Sequence, residues 1–206
     1  MNDIITIALP KGRLAEDTIE LFLRKGILNS NCIDFNSRKL VFDDNEKGFR
    51  FLLVRNMDVP TYVEYGACDL GVVGKDIICE TKADVYEFID LGFGFCRMCV
   101  AATRTDFKYR HDIKVATKFV NITKDFFMKK GFFVETIKLY GSIEIAPILG
   151  LSDIIVDLVS TGETLKKNGL YVIDNIMDST ARLIGNKNLS RTKYLKIKWI
   201  LEMLRG

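Results

Sequence analysis

Ile154-Ile155-Val156-Asp157-Leu158-Val159-Ser160-Thr161-Gly162-Glu163-Thr164-Leu165 runs from a bare apolar stretch through a carboxylate into a Thr-Gly turn. The apolar run Ile154 to Val156 reads as a buried strand with Asp157 at its end, and residues 163–168 read as a helix. Strand, turn and helix in immediate succession are the unit from which α/β layers are built. The first N–H groups of a helix have no internal partner, and its N-terminal end is positive. A phosphate set against Ser160 to Thr164 would satisfy those donors, with hydroxyls of Ser160, Thr161 and Thr164 adding to them. Asp157 is then placed to accept hydrogen bonds from sugar hydroxyls. The competing reading is an ordinary strand, turn and helix with Ser/Thr caps.

The same alternation extends in both directions. Residues 4–9, 49–54, 70–73, 85–91, 98–102, 113–116, 133–139 and 171–176 read as strands. Helical patterns cover residues 14–25, 60–65, 121–130, 143–149 and 190–204. Strands alternating with helices predict an α/β protein with mixed, largely parallel sheets. There are more strands than one small sheet usually holds. Gly92-Phe93-Gly94 reads as a hinge, giving a first lobe of residues 1–91 plus 177–206 and a second of residues 92–176. The last helix places Tyr194, Ile197, Leu201 and Leu204 on one face, which is expected to pack back on the first lobe.

Composition narrows the class. The 206 residues are 48% hydrophobic and 28% charged, ordinary for a globular protein, and the net charge is only +3. That charge gives no argument for nucleic acid or a membrane surface as partner. The polar opening Met1-Asn2-Asp3 lacks a signal-peptide pattern, and no apolar stretch approaches the ~20 residues of a membrane span. The expected compartment is the cytosol. Five irregularly spaced cysteines make a poor disulfide framework. Cys96 and Cys99 form a CxxC without a second pair to complete a zinc site, and both are expected to be buried thiols on opposite strand faces. His111, the only histidine, lies in a polar stretch and reads as a surface residue.

Two further stretches place charge where anionic ligands bind. Ala8-Leu9-Pro10-Lys11-Gly12-Arg13-Leu14 puts two cations between a strand and a helix start, where they oppose the macrodipole unless an anion intervenes. Arg55 closes a strand, and its planar fork suits phosphate oxygens. Downstream, Asp69-Leu70-Gly71-Val72-Val73-Gly74 brackets an apolar strand with glycines that let backbone approach a flat ligand.

The 154–165 pattern resembles the phosphoribosyl-pyrophosphate loop of phosphoribosyltransferases, with Leu158 standing where a second acid is usual. In order and wording the whole set of motifs resembles one family, the ATP phosphoribosyltransferases of histidine biosynthesis. The likeness rests on ALPKGRL at 8–14, SRKL at 37–40, RNMDVPTYVEYGACDLGVVG at 55–74, VATKFVN at 115–121, GSIEIAP at 141–147 and GLSDIIVDLVSTGETLKKNGL at 150–170. The resemblance implies a two-lobed, periplasmic-binding-protein-like (type II) fold, which accounts for Leu158. It also implies the short form of the family, whose catalytic chains, dimeric themselves, join a regulatory subunit similar to histidyl-tRNA synthetase in a hetero-octamer.

The reaction so implied is attack of adenine N1 of ATP on C1 of phosphoribosyl pyrophosphate, with pyrophosphate leaving in the company of Mg2+. Under that reading Arg38, Arg55 and Lys11 stabilise the leaving group. Glu144, Asp157, Ser160, Thr161, Gly162, Glu163 and Thr164 hold phosphoribosyl pyrophosphate, and Lys11, Gly12, Arg13, Asp69 and Gly71 lie at the ATP. Magnesium is expected to be held mainly by substrate phosphates, with no dedicated protein site. Two rivals are a ligand-binding module of the same fold, which needs an export signal or a DNA-binding domain, and another phosphoribosyltransferase, against which Leu158 counts.

Overall fold

A computed structural model describes residues 4–206; the opening Met1-Asn2-Asp3 lies outside the described residues. The chain divides into two compact units, residues 1–94 with 180–206 and residues 95–179. In the first, β1 (Ile5–Pro10), β3 (Phe49–Val54) and β4 (Leu70–Gly74) form the centre of a six-stranded sheet ordered β2-β3-β1-β4-β11-β5. β2 (Val41–Asp44), β11 (Ala181–Gly185) and β5 (Tyr86–Asp90) complete it. The second unit carries a five-stranded sheet ordered β10-β6-β9-β7-β8. Its strands are β6 (Cys96–Ala102), β7 (Ile113–Thr117), β8 (Val134–Lys138), β9 (Ile154–Val159) and β10 (Tyr171–Ser179).

Both sheets are mixed, as expected, but parallel pairing does not predominate in them. Parallel ladders are confined to β1 with β3 and β4, and to β7 with β8 and β9. The other ladders, β2–β3, β4–β11, β5–β11, β6–β9 and β6–β10, are antiparallel. A parallel partner requires a return crossover, usually helical. α1 (Arg13–Arg24) lies between β1 and β3, α4 (Val120–Lys129) between β7 and β8, and α5 (Ile145–Ile148) between β8 and β9. From the second unit back to the first the chain runs on from β10 to β11 across Thr180, and no such crossover intervenes.

α1 shows why the first core forms. Ala15, Ile19 and Phe22 recur at helical spacing on one face and are buried against Ile5, Ile7 and Phe51. Fully burying a phenylalanine such as Phe22 or Phe51 stabilises the fold by roughly 2–3 kcal/mol. α7 (Arg191–Arg205), capped by the Ser190 hydroxyl accepting from the Lys193 amide, returns to this core with Ile197 and Ile200 buried. Tyr194, expected on the same face, is instead exposed. No described helix is long and apolar enough to cross a membrane.

Asp69, one residue before β4, fixes α7 to the sheet. Its carboxylate accepts the Thr6 amide at 2.8 Å and the Lys193 ammonium at 2.9 and 2.8 Å. The Asp69 side chain is only 13% exposed, so removing it strands a charge and an amide that water reaches poorly. Asp69→Ala is therefore expected to lower the unfolding free energy in urea by roughly 2 kcal/mol. An unchanged midpoint and slope would show that the tether contributes nothing.

Candidate active site

A parallel pair ends its strands side by side, so whatever follows each strand shares one edge of the sheet. In the first unit Pro10 and Val54 are register partners, and the Lys11 amide donates to the Val54 carbonyl at 3.0 Å. Lys11 and Arg55, each the residue after its strand, thus leave the sheet together. The Leu53 amide donates to the Leu40 carbonyl at 2.8 Å, so the chain entering β2 brings Arg38 to the same edge. All three cations are exposed, and none engages a carboxylate among the described residues. Strand carboxyl ends are where open α/β sheets bind ligands.

The other residues predicted for this half fare differently. Gly12, at φ +101°, makes the turn into α1, and its carbonyl accepts the Ala15 amide at 2.9 Å. Arg13 turns onto the surface of α1, 90% exposed and 3.7 Å from Asp17, so the helix's own acid relieves its conflict with the dipole. Asp69 is spent on Thr6 and Lys193. Gly71 is buried, and a Cβ there would lie 2.8 Å from Val63 and 2.9 Å from Val59, so its missing side chain makes room for α2 (Val59–Glu64). The structure gives Asp69 and Gly71 packing tasks within the first unit.

In the second unit β9 is longer than the sequence implied. It runs to Val159, which pairs with Arg97, so Asp157 sits inside the strand opposite Cys99 and not at its end. A cavity of about 210 Å³ opens there, lined by Glu144, Asp157, Ser160, Thr161, Gly162 and Thr164 together with Leu158, Val159 and Leu165. Ile143, Ala146 and Leu165 are buried with Ile155, which pins both the Glu144 loop and the start of α6 (Glu163–Lys167) to the strand. Ser142, in that loop, holds φ +50° without being glycine, local strain of the kind that clusters at ligand sites. Gly162 turns the chain at φ +79°, a conformation that glycine adopts without strain.

Because α6 spans only five residues, the donors here are individual N–H groups and hydroxyls rather than a long macrodipole. The Thr161 hydroxyl accepts the Glu163 amide at a loose 3.4 Å. Glu163 itself does not line the cavity; its side chain is 74% exposed and lies 3.9 Å from Lys167.

Asp157 accepts the Leu158 amide at 2.8 Å. Burial pushes its carboxyl above the usual range; the Leu158 bond opposes this, nearby Glu144 adds to it, and Lys118 lowers it. Lys118 was missed by the sequence reading. It follows β7 as Lys11 follows β1 and Arg55 follows β3, and that recurrence of a cation just after an apolar strand was the available signal. Of the CxxC pair, Cys99 is buried and donates to Asn175 at 3.2 Å, whereas Cys96 is only half-buried; neither is in a disulfide. His111 is exposed, as expected, with its ring stacked on Phe133.

The family profile described as ATP phosphoribosyltransferase matches residues 55–206. An ATP phosphoribosyltransferase of Caldanaerobacter subterraneus subsp. tengcongensis is 55% identical over 204 residues, spanning 98% of this chain and 97% of that protein. An ATP phosphoribosyl transferase (HisG:HisZ) complex from Thermotoga maritima contains a chain that superposes with a TM-score of 0.85 at 32% identity, covering 98% and 97% of the two chains. The alkanesulfonate-binding protein SsuA of Xanthomonas axonopodis pv. citri, at 12% identity and a TM-score of 0.56 over 97% of this chain and 71% of that one, shares the fold alone. The periplasmic-binding-protein-like architecture expected from the sequence is thus found, and the chain belongs to the ATP phosphoribosyltransferase family.

Proposed function

We propose that this chain is the catalytic subunit of a short-form ATP phosphoribosyltransferase, acting in the cytoplasm and joining adenine N1 of ATP to C1 of phosphoribosyl pyrophosphate. The observation that carries the reading is the cavity at the end of β9, where a turn of N–H and hydroxyl donors adjoins two carboxylates. Donors in that turn suit the 5′-phosphate, and Glu144 and Asp157 suit the ribose hydroxyls. Adenine N1 carries its own lone pair, so no general base is required of the protein. Positioning and leaving-group stabilisation then supply the rate, the first by holding the reacting atoms together and the second through fixed cations. Lys11, Arg38 and Arg55, exposed and unspent on carboxylates, suit the pyrophosphate, and Gly12 and Arg13 stand beside Lys11 at the strand end proposed for ATP.

Magnesium fits this site as a companion of the substrate. Among the described residues no group of three or more His, Cys, Asp or Glu could hold a metal. Glu144 and Asp157 offer two carboxylates whose mutual repulsion a cation relieves, and magnesium commonly takes one or two protein ligands and fills the rest with phosphates and water. When bound it neutralises charge on the departing pyrophosphate.

The Thermotoga maritima structure is a HisG:HisZ complex, and the chain covers 97% of its matched subunit. That supports a comparable regulatory partner, resembling histidyl-tRNA synthetase, for dimers of this chain within a hetero-octamer.

The direct test mixes the protein, with and without such a partner, with ATP, phosphoribosyl pyrophosphate and magnesium and follows phosphoribosyl-ATP. Arg55→Ala is expected to lower kcat roughly a hundredfold while changing KM for either substrate only a few-fold. An unchanged kcat would remove Arg55 from the leaving-group role, and no product from the wild-type complex would overturn the reading.

Asp157 gives a second test. Its carboxyl is raised in the folded protein, so its ionisation opposes folding. That cost is absent below the unfolded-state pKa and grows as pH rises through the folded one. Asp157→Asn is therefore expected to raise Tm at neutral pH, with the difference from wild type closing as pH falls through the carboxylate range, and to weaken phosphoribosyl pyrophosphate binding. A variant less stable at neutral pH, or one that binds as tightly as wild type, would contradict the assignment.

A further inference from the structure

α5 is apolar on both of its sides, which a helix at a protein surface ordinarily is not. Residues 145–152, which comprise α5 and the turn after it, read Ile-Ala-Pro-Ile-Leu-Gly-Leu-Ser and carry no charge. The inner side is accounted for, since Ala146 is buried with Ile143, Ile155 and Leu165. The outer side is bare. Ile145, Ile148 and Leu149, at i, i+3 and i+4, share one face and are all exposed, Leu149 to 77%, and Leu151 is exposed just beyond them. A helix that is apolar all round belongs inside a core. The bare part of these four side chains amounts to roughly 400 Å², the range in which an apolar patch on a monomer is often functional.

The face is also fixed in shape. The Leu149 amide donates to the Ile145 carbonyl at 3.1 Å, the Gly150 amide to the Pro147 carbonyl at 3.2 Å and the Leu151 amide to the Ala146 carbonyl at 2.9 Å. A surface ordered in advance spends less of its contact energy on becoming ordered.

Charge selects the occupant. The charges that flank the segment are engaged elsewhere: Glu144 lines the cavity, and Asp153 accepts Arg110 at 3.1 Å and the Lys114 amide at 2.8 Å. A partner of different sequence is steered and selected by complementary charge, and this segment offers none. A two-fold axis instead sets a patch against its own copy, where a charge would meet its like and an uncharged apolar patch meets no such penalty. Homodimer interfaces are accordingly the more apolar class. The exposed face would supply the apolar centre of the ~800 Å² per partner that a stable interface buries.

We propose that the outer face of α5 meets the same face of a second copy of this chain across a two-fold axis. The proposal rests on the dimer of the reading above and adds the surface that forms it.

The experiment is sedimentation of the full chain by itself at micromolar concentration. It compares wild type, Leu149→Glu, Leu149→Lys, an equimolar mixture of those two variants, and Leu195→Glu on the exposed surface of α7 as control. Each protein is first checked for an intact melting transition, and the same pair of substitutions at Ile148 stands in should one at Leu149 unfold the chain. Wild type and Leu195→Glu are expected to sediment as dimers. Each Leu149 variant alone should fall to half that mass, because the axis brings like charges together. The mixture should return to dimer mass as glutamate meets lysine across the axis, a rescue that neither a damaged fold nor a different occupant predicts. Dimers in both single variants, or monomers in the mixture, would overturn the proposal and leave the remainder of the reading intact. So would a Leu149 variant that stays dimeric but no longer joins the regulatory subunit, since the face then belongs to that subunit. A monomeric wild-type chain would remove the dimer from the underlying reading as well.

Discussion

Parallel register is the constraint on which the rest of this structure depends. Two parallel strands must finish at the same edge, and the residue after each strand is carried there without further design. β1 and β3 deliver Lys11 and Arg55 in this way, and β7 and β9 deliver Lys118 and the turn at Ser160 to Gly162. The antiparallel strands around them close the sheets, and of these β2 brings Arg38 to the first edge through the residues that precede it. Functional groups in this fold are therefore concentrated in the few residues that follow a parallel strand, and the helices serve to make the parallel return.

Holding such an edge open has a cost, and other parts of the molecule offset it. Asp157 is kept in β9 although burial disfavours its charge. Ser142 is kept at a positive φ in the loop that carries Glu144. Both sit beside the core of the second unit, where Ile155 packs with Ala146 and Leu165. Strained or desolvated groups persist only when their surroundings over-determine them.

Much of this was legible in the sequence because the signals are local. Ile154 to Thr164 announces a strand, a glycine turn and a helix within a dozen residues, and all but Glu163 of the residues predicted there line the cavity. What escaped was either short or long-range. β2 has four residues, two of them aspartates, and shows no apolar run. β9 extends past Asp157 because its outer part pairs with β6, a partner more than fifty residues away in sequence. Asp69 read as a ligand contact because Lys193, which occupies it, lies 124 residues further along the chain. Gly71 read as an open approach for a flat ligand, whereas Val59 and Val63 fill the space its missing side chain leaves.

The central claim is that phosphoribosyl pyrophosphate is held by backbone donors of the turn between β9 and α6. Calorimetric titration of phosphoribosyl pyrophosphate into Thr161→Pro tests it most directly, since proline removes one amide and fixes φ in that turn. With the fold verified by an unchanged melting transition, measurable binding is expected to be lost. Affinity equal to that of the unaltered protein would contradict it and place the phosphate elsewhere.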